Sequence, residues 1–182
     1  LFLKDSLFLS QIFWGNFKSD VSAVSISVNG ANACVLDTLN KIYCWGKNFR
    51  GQLGDGTEID SSAPVEVNMS GVMKDKTITS VSAGGNFTCA IDNAGDVYCW
   101  GANTSGQCGN GIYDTLFDKG SAVEVVKKSA LNGKKTVLIS AGEKTTNVVD
   151  SEGKVYVWGD FKLIPFAFDS NGILKDKVVS SM

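Results

Sequence analysis

The chain has 182 residues, 43% of them hydrophobic and only two of them Pro, which suits one domain with a real core and excludes wholesale disorder. A net charge of −2 argues against a nucleic-acid partner, which requires a clustered basic face. Histidine is absent, which removes the commonest general base and zinc ligand and leaves no Ser-His-Asp or Cys-His nucleophile to assemble.

The first stretch, LFLKDSLFLSQIFWG (1–15), is apolar but carries Lys4 and Asp5 and no initiating Met. It reads as strands rather than as a signal peptide. Its abrupt start predicts a chain that begins inside a longer protein. No run anywhere reaches the ~18 apolar residues of a membrane span.

From there the sequence repeats itself. Trp-Gly recurs at Trp14, Trp45, Trp100 and Trp158. The repeat units run approximately over 1–25 (degenerate), 26–80, 81–138 and 139–182 (degenerate and truncated), and each reads as strand, tight turn, strand, Gly-rich turn, strand. The outer units, with FWGNFK (13–18) and VWGDFK (157–162), lack the Gly-Gln-Leu-Gly turn. The closing ILKDKVVSSM parallels VMKDKTITSVSAG (72–84) up to the point where a next unit would start. A unit of this kind buries its faces against its neighbours, so one alone is not expected to be stable.

Within the units, CVLDTLNKIYCWG (34–46), CAIDNAGDVYCWG (89–101) and NVVDSEGKVYVWG (147–159) each describe a hairpin. Asn40, Gly95 and Gly153 share one offset, where a three-residue hairpin loop needs positive φ. That hairpin sets Cys34 opposite Cys44 and Cys89 opposite Cys99, at a separation a disulfide can bridge. The competing reading is two buried thiols that merely face each other. In the third copy both partners change at once, to Asn147 and Val157, which favours paired disulfides.

The remaining motifs read as turn chemistry. GQLGDG (51–56) lacks the Gly-Lys-Ser/Thr ending of a phosphate loop and no helical stretch follows it. The acidic hairpins lack the twelve-residue spacing of calcium loops and are expected to be solvated tips. The lysine pairs 127–128 and 134–135 read as solvated surface. Trp45, Trp100 and Trp158 are expected in the core between units, with Leu53 and its counterpart Cys108. Cys108 reads either as a buried apolar substitute or as an odd cysteine that pairs with another chain or an absent segment. Glycosylation triplets begin at Asn68, Asn86 and Asn103. A chain rich in Asn, Ser and Thr produces such triplets by chance, so they support export only together with the paired cysteines.

VSAGGNFTCAIDNAGDVYCWGANTSGQCGNG (81–111) resembles a repeat of the regulator of chromosome condensation family. The marks it shares are Ser82-Ala83-Gly84, Gly95, Tyr98, Trp100-Gly101, Asn103, Gly106-Gln107 and Gly109. Tyr43, Trp45-Gly46, Asn48 and Gly51-Gln52-Leu53-Gly54 supply the other clear copy. The resemblance implies an all-β fold of about three to four four-stranded propeller blades. The family typically closes a propeller with seven, so the rest is expected from a longer chain. One departure is the His that usually precedes the Thr/Ser-Cys pair, here Phe87, with Asn32 and Thr145 in the other copies.

The function expected is a non-enzymatic protein-binding or structural propeller module of a larger secreted or cell-surface protein, with no cofactor, metal or catalytic residue. Its expected partners are proteins or further blades of the same protein, in a larger extracellular assembly. An intracellular guanine-nucleotide exchange factor or chromatin-associated scaffold, as the family name implies, is the alternative. A secreted enzyme inhibitor is a further one, favoured if Phe49, Tyr113 and Phe117 cluster on one face.

Overall fold

A computed structural model describes residues 21–30, 32–113, 121–127 and 129–168. The unit around Trp14, the closing ILKDKVVSSM, Phe117 and Lys128 lie outside the described residues.

The described residues form three antiparallel four-stranded sheets in which spatial order follows chain order. The first holds β1 (Ala23–Asn29), β2 (Asn32–Asp37), β3 (Ile42–Gly46) and β4 (Ser61–Glu66). A 3₁₀ turn, Gly71–Met73, leads to the second, with β5 (Ile78–Ala83), β6 (Phe87–Asp92), β7 (Val97–Gly101) and β8 (Val123–Glu124). The third holds β9 (Thr136–Ala141), β10 (Thr145–Asp150), β11 (Val155–Gly159) and β12 (Lys162–Ala167). The fold is all-β, as the sequence pattern predicts. The third sheet has all four strands although its sequence lacks Gly-Gln-Leu-Gly, because a two-residue turn, Asp160-Phe161, joins β11 to β12.

Each sheet is a propeller blade. The first strands β1, β5 and β9 lie against one another from blade to blade, and the fourth strands form the outer edge. Both prolines, Pro64 and Pro165, fall in those edge strands, where a missing N–H breaks no ladder. The expected hairpins form with the expected turn geometry: φ is +64° at Asn40, +88° at Gly95 and +81° at Gly153. Their register sets Cys34 opposite Cys44, Cys89 opposite Cys99 and Asn147 opposite Val157.

Two apolar cores fill the two joints between blades. The first gathers Leu36, Ile42, Leu53, Val81, Tyr98 and Trp100; the second gathers Ile91, Val97, Cys108, Val148, Tyr156 and Trp158. Trp100 and Trp158 are their largest buried side chains. Burying one indole stabilises by roughly 4–6 kcal/mol before chain entropy is charged against it. The outward face of the first blade is uncovered among the described residues. There Ile26 and Val28 are 54% and 70% exposed, whereas Val81 and Ala83, their counterparts in β5, are each 3% exposed.

Candidate interaction surface

The two joints are built alike. Trp100 Nε1 donates to the Gln52 carbonyl of the preceding blade at 3.0 Å, and Thr88 Oγ1 donates to the same oxygen at 2.8 Å. At the next joint Trp158 Nε1 and Thr146 Oγ1 both donate to the Gln107 carbonyl at 2.8 Å. Each carbonyl is presented by a turn folded around buried amides. The Oδ1 atoms of Asn48 and Asn103 accept from Leu53 N and Cys108 N at 2.9 Å. Those of Gln52 and Gln107 (Oε1) accept from Arg50 N and Ser105 N at 2.8 Å. These amide oxygens fix the turn, although Gln52 Nε2 is buried without a hydrogen-bond partner. The turn ends in Gly54 or Gly109, over which the indole lies; a Cβ there would come within 2.6 Å of Trp100 Nε1 or Trp158 Nε1.

Trp45 is only half-buried, since the described residues supply no sheet on its outer side. Its strand partner is Ala33, where the other blades have Thr88 and Thr146. Leu53 and Cys108 occupy equivalent buried positions. Cys108 Sγ lies 3.6 Å from the Ala102 carbonyl, buried inside the second core.

Cys34 and Cys44, and likewise Cys89 and Cys99, stand at disulfide distance with Cα atoms 4.1 Å apart. All four are fully buried, and Sγ of Cys34 and Cys89 lies 3.9 Å from Thr88 Oγ1 and Thr146 Oγ1 respectively. Of the triplet asparagines, Asn68 is exposed and Asn86 half-buried. Asn103 contradicts its reading as a glycan acceptor: it is buried, and its Nδ2 donates to Asn110 Oδ1 at 2.9 Å and to the Ile112 carbonyl at 3.0 Å.

The hairpin tips correct a second expectation. Asp37, Asp92 and Asp150 are not solvated but 1–2% exposed. Each Oδ1 accepts two backbone N–H groups across its turn, as Asp92 does from Ala94 and Asp96 at 2.9 Å. Tyr98 and Tyr156 hydroxyls donate to the other oxygen of Asp92 and Asp150, at 2.9 and 2.8 Å. The carboxylates therefore serve as turn caps, and the tips of the first two blades lie against the blade that follows, Asn40 on Lys76 and Ile78 and Gly95 on Lys135 and Thr136. Burial pushes the Tyr98 phenol up to about 12, helped by Asp92 and opposed by Lys76. Burial works against the charge on Asp92, but the N–H groups of Asp96 and Ala94 and the Tyr98 hydroxyl outweigh it and hold the carboxyl below its ordinary range. Lys76 Nζ stands 3.5 Å from Asp92 and 3.6 Å from Asp96, and Lys127 stands 3.0 Å from Asp96. A groove of about 300 Å³ beside this tip is lined by Asp96, Lys127, Leu131, Lys134 and Lys135. Among the described residues no three His, Cys, Asp or Glu stand close enough together to hold a metal ion.

The connections β1–β2 and β3–β4, and their equivalents, leave from the opposite end of each blade, because alternate strands run in opposite directions. That end carries exposed apolar side chains: Phe49, Ile59, Ile112, Tyr113 and Phe161. Phe49 lies under the Arg50 guanidinium, 5.6 Å away. Tyr113 meets Phe161 edge-on with ring centroids 6.3 Å apart. The sequence pattern singles out Phe49 and Tyr113 but not Phe161.

Residues 40–91 and 94–149 match the Regulator of chromosome condensation (RCC1) repeat, and a second description of that repeat matches 23–52 and 78–107. The chain belongs to the RCC1 repeat family. The second description begins where β1 and β5 begin, whereas the first begins at 40 and 94, in the hairpin turns that precede β3 and β7. Protein RCC2 homolog of Danio rerio is 32% identical over 158 residues, which are 83% of this chain and 30% of that protein. Human WBSCR16 superposes with a TM-score of 0.72 at 18% identity, over 84% of this chain and 39% of that one. Prp20p of Saccharomyces cerevisiae gives 0.63 at 22%, over 80% and 38%. The chain thus spans about a third of the length of these proteins, and the two structures share its fold. Among the described residues no helix is long and apolar enough to cross a membrane.

Proposed function

We propose that this chain is a non-enzymatic, protein-binding part of a larger propeller, and that it works in an oxidising setting, outside the cell or at its surface. The observation that carries the reading is the pair of opposed, fully buried cysteines in each of the first two blades. Disulfides persist in secreted proteins and are rare in a reducing cytosol. Support for a binding rather than a catalytic role comes from the carboxylates, which the fold employs as turn caps, and from the absence of histidine. Proteins or further blades are the partners proposed.

The relatives favour a second reading, an intracellular regulator. The structure of Prp20p is described together with its binding to Gsp1p and histones. The two readings part at the thiols. Native protein is alkylated without reduction, digested and mapped by mass spectrometry. Linked peptides Cys34–Cys44 and Cys89–Cys99, with or without glycan mass on Asn68 or Asn86, support the extracellular reading. Alkyl groups on all five cysteines overturn it and make a pull-down with a small GTPase the next measurement.

A further inference from the structure

Four Asn-Gly steps occur in the chain: Asn29-Gly30, Asn110-Gly111, Asn132-Gly133 and Asn171-Gly172, the last outside the described residues. Such a step is chemically self-reactive. The glycine nitrogen attacks the asparagine side-chain carbonyl, because no Cβ on the following residue blocks the approach and its backbone turns freely. Attack requires an N–H not engaged in a hydrogen bond, a side-chain amide free to swing round, and room for the peptide plane to rotate. The fold supplies these conditions unequally.

Asn110-Gly111 fails all three. Gly111 N donates to the Leu163 carbonyl at 3.0 Å. Asn110 Oδ1 accepts from the buried Asn103 amide at 2.9 Å. A Cβ on Gly111 would meet Val126 Cγ2 at 3.4 Å and Ile164 Cγ2 at 3.7 Å, so the peptide is packed against side chains. Asn29 is held in the β1 ladder opposite Asn32.

Asn132-Gly133 meets all three. It lies between β8 and β9, in a turn closed by Lys134 N donating to the Leu131 carbonyl at 3.0 Å. Gly133 takes the third position of that turn with φ at +70°, and no heavy atom lies within 4 Å of where its Cβ would stand. Asn132 and Gly133 are both exposed. Among the described residues neither the Gly133 N–H nor the Asn132 side chain has a hydrogen-bond partner. The turn is nevertheless anchored at its ends, since Leu131 packs into the second core and Thr136 is buried at the start of β9.

We infer that Asn132 is a site of spontaneous modification, converted to aspartate and isoaspartate while the protein is folded. Gly133 N bonds to Asn132 Cγ as the Cγ–Nδ2 bond breaks, and the amide nitrogen leaves as ammonia with the Gly133 proton. Water then opens the five-membered imide at either carbonyl. One opening leaves Asp in an ordinary chain; the other routes the chain through the former side chain as isoaspartate. Water is the only co-reactant, and nothing is oxidised or reduced. Asn132 stands on the wall of the groove that Lys127, Lys134 and Lys135 also line. Each conversion therefore sets a new carboxylate on that wall, and does so whatever the propeller binds.

The test follows the native protein at mildly alkaline pH, where the attacking nitrogen loses its proton more readily. Samples are peptide-mapped by mass spectrometry and labelled with an isoaspartyl carboxyl methyltransferase. Deamidation is expected at Asn132 and not at Asn110, with a methyl label on the Asn132 peptide. That label is expected to be lost in Asn132→Gln, whose longer side chain does not close a five-membered ring. In urea, where the fold no longer discriminates, Asn110 is expected to convert as fast as Asn132. Conversion of Asn110 at the pace of Asn132 in the native protein overturns the proposal, as does an Asn132 that stays intact until urea is added. Circular dichroism recorded alongside should stay constant; a spectrum that decays in step with conversion makes the change a product of unfolding and overturns the proposal as well.

Discussion

Thr88 and Trp100 face each other across β6 and β7 and donate to a single oxygen, the Gln52 carbonyl of the preceding blade. Thr146 and Trp158 repeat the relation at Gln107. Thr88→Val keeps the shape and removes the donor, leaving the buried carbonyl with the indole alone. It is expected to cost about 1–2 kcal/mol in urea unfolding. Thr104→Val, at an exposed position of the neighbouring turn, should fall within about 0.5 kcal/mol of the parent. Equal costs at both positions would deny the shared carbonyl any energetic role.

Gly54 and Gly56 separate backbone strain from crowding. Both have positive φ, +73° and +82°, but a Cβ on Gly54 meets Trp100 Nε1 at 2.6 Å whereas one on Gly56 meets nothing within 4 Å. Gly56→Ala should cost about 1 kcal/mol from φ alone. Gly54→Ala should exceed it by about 1–3 kcal/mol, since the indole has to shift inside a packed core. Calorimetry on the two variants gives the difference directly.

Reduction offers a third test. If the two cysteine pairs are closed, dithiothreitol should lower stability by roughly 2–3 kcal/mol for each short loop released. Asn147 and Val157 stand at the same opposed register in the third blade. Asn147→Cys with Val157→Cys is therefore expected to oxidise spontaneously and raise the Tm, which a gel-shift after alkylation and a melting curve would both register.

Alkaline pH reads the Tyr98–Asp92 contact. The folded phenol titrates at about 12, above the ordinary 10.0. Between those values the unfolded chain has lost the proton and the folded one keeps it, so stability is full below pH 10 and falls as pH rises towards 12. Tyr98→Phe should flatten part of that decline while costing about 1 kcal/mol at neutral pH. Asp92 has the opposite sense: its carboxyl is held low, so its contribution is present at neutral pH and is lost as pH falls through the folded value in acid.

The hairpins were legible in the sequence because their turns place Asn40, Gly95 and Gly153 at one offset, and a side-chain period of two then dictates which residues oppose each other. Burial of Asp37, Asp92 and Asp150 was not legible. A turn's composition says nothing about which neighbouring blade will cover it, and an Asp that caps a hidden turn looks the same as one in water. The Asn103 triplet misleads for a related reason: the Asn that heads the turn is the one whose amide the turn consumes. Thr88 and Thr146 do align between copies, so their pairing with the conserved-looking Gln-containing turn was available as a signal. Phe161 carried none, because a pattern that reads turns from Gly and Asn passes over a residue that defies the rule.

Every joint described has a direction. The indole and the threonine hydroxyl always belong to the later blade, and the carbonyl with its glycine always belongs to the earlier one. A blade inserted in reverse would bring donor to donor, whereas a tandem copy of residues 78–135 spliced in frame would meet a matching half at each side. Growth by duplication therefore requires no newly evolved interface, and the number of blades in such a chain can change by whole units while each seam stays the same.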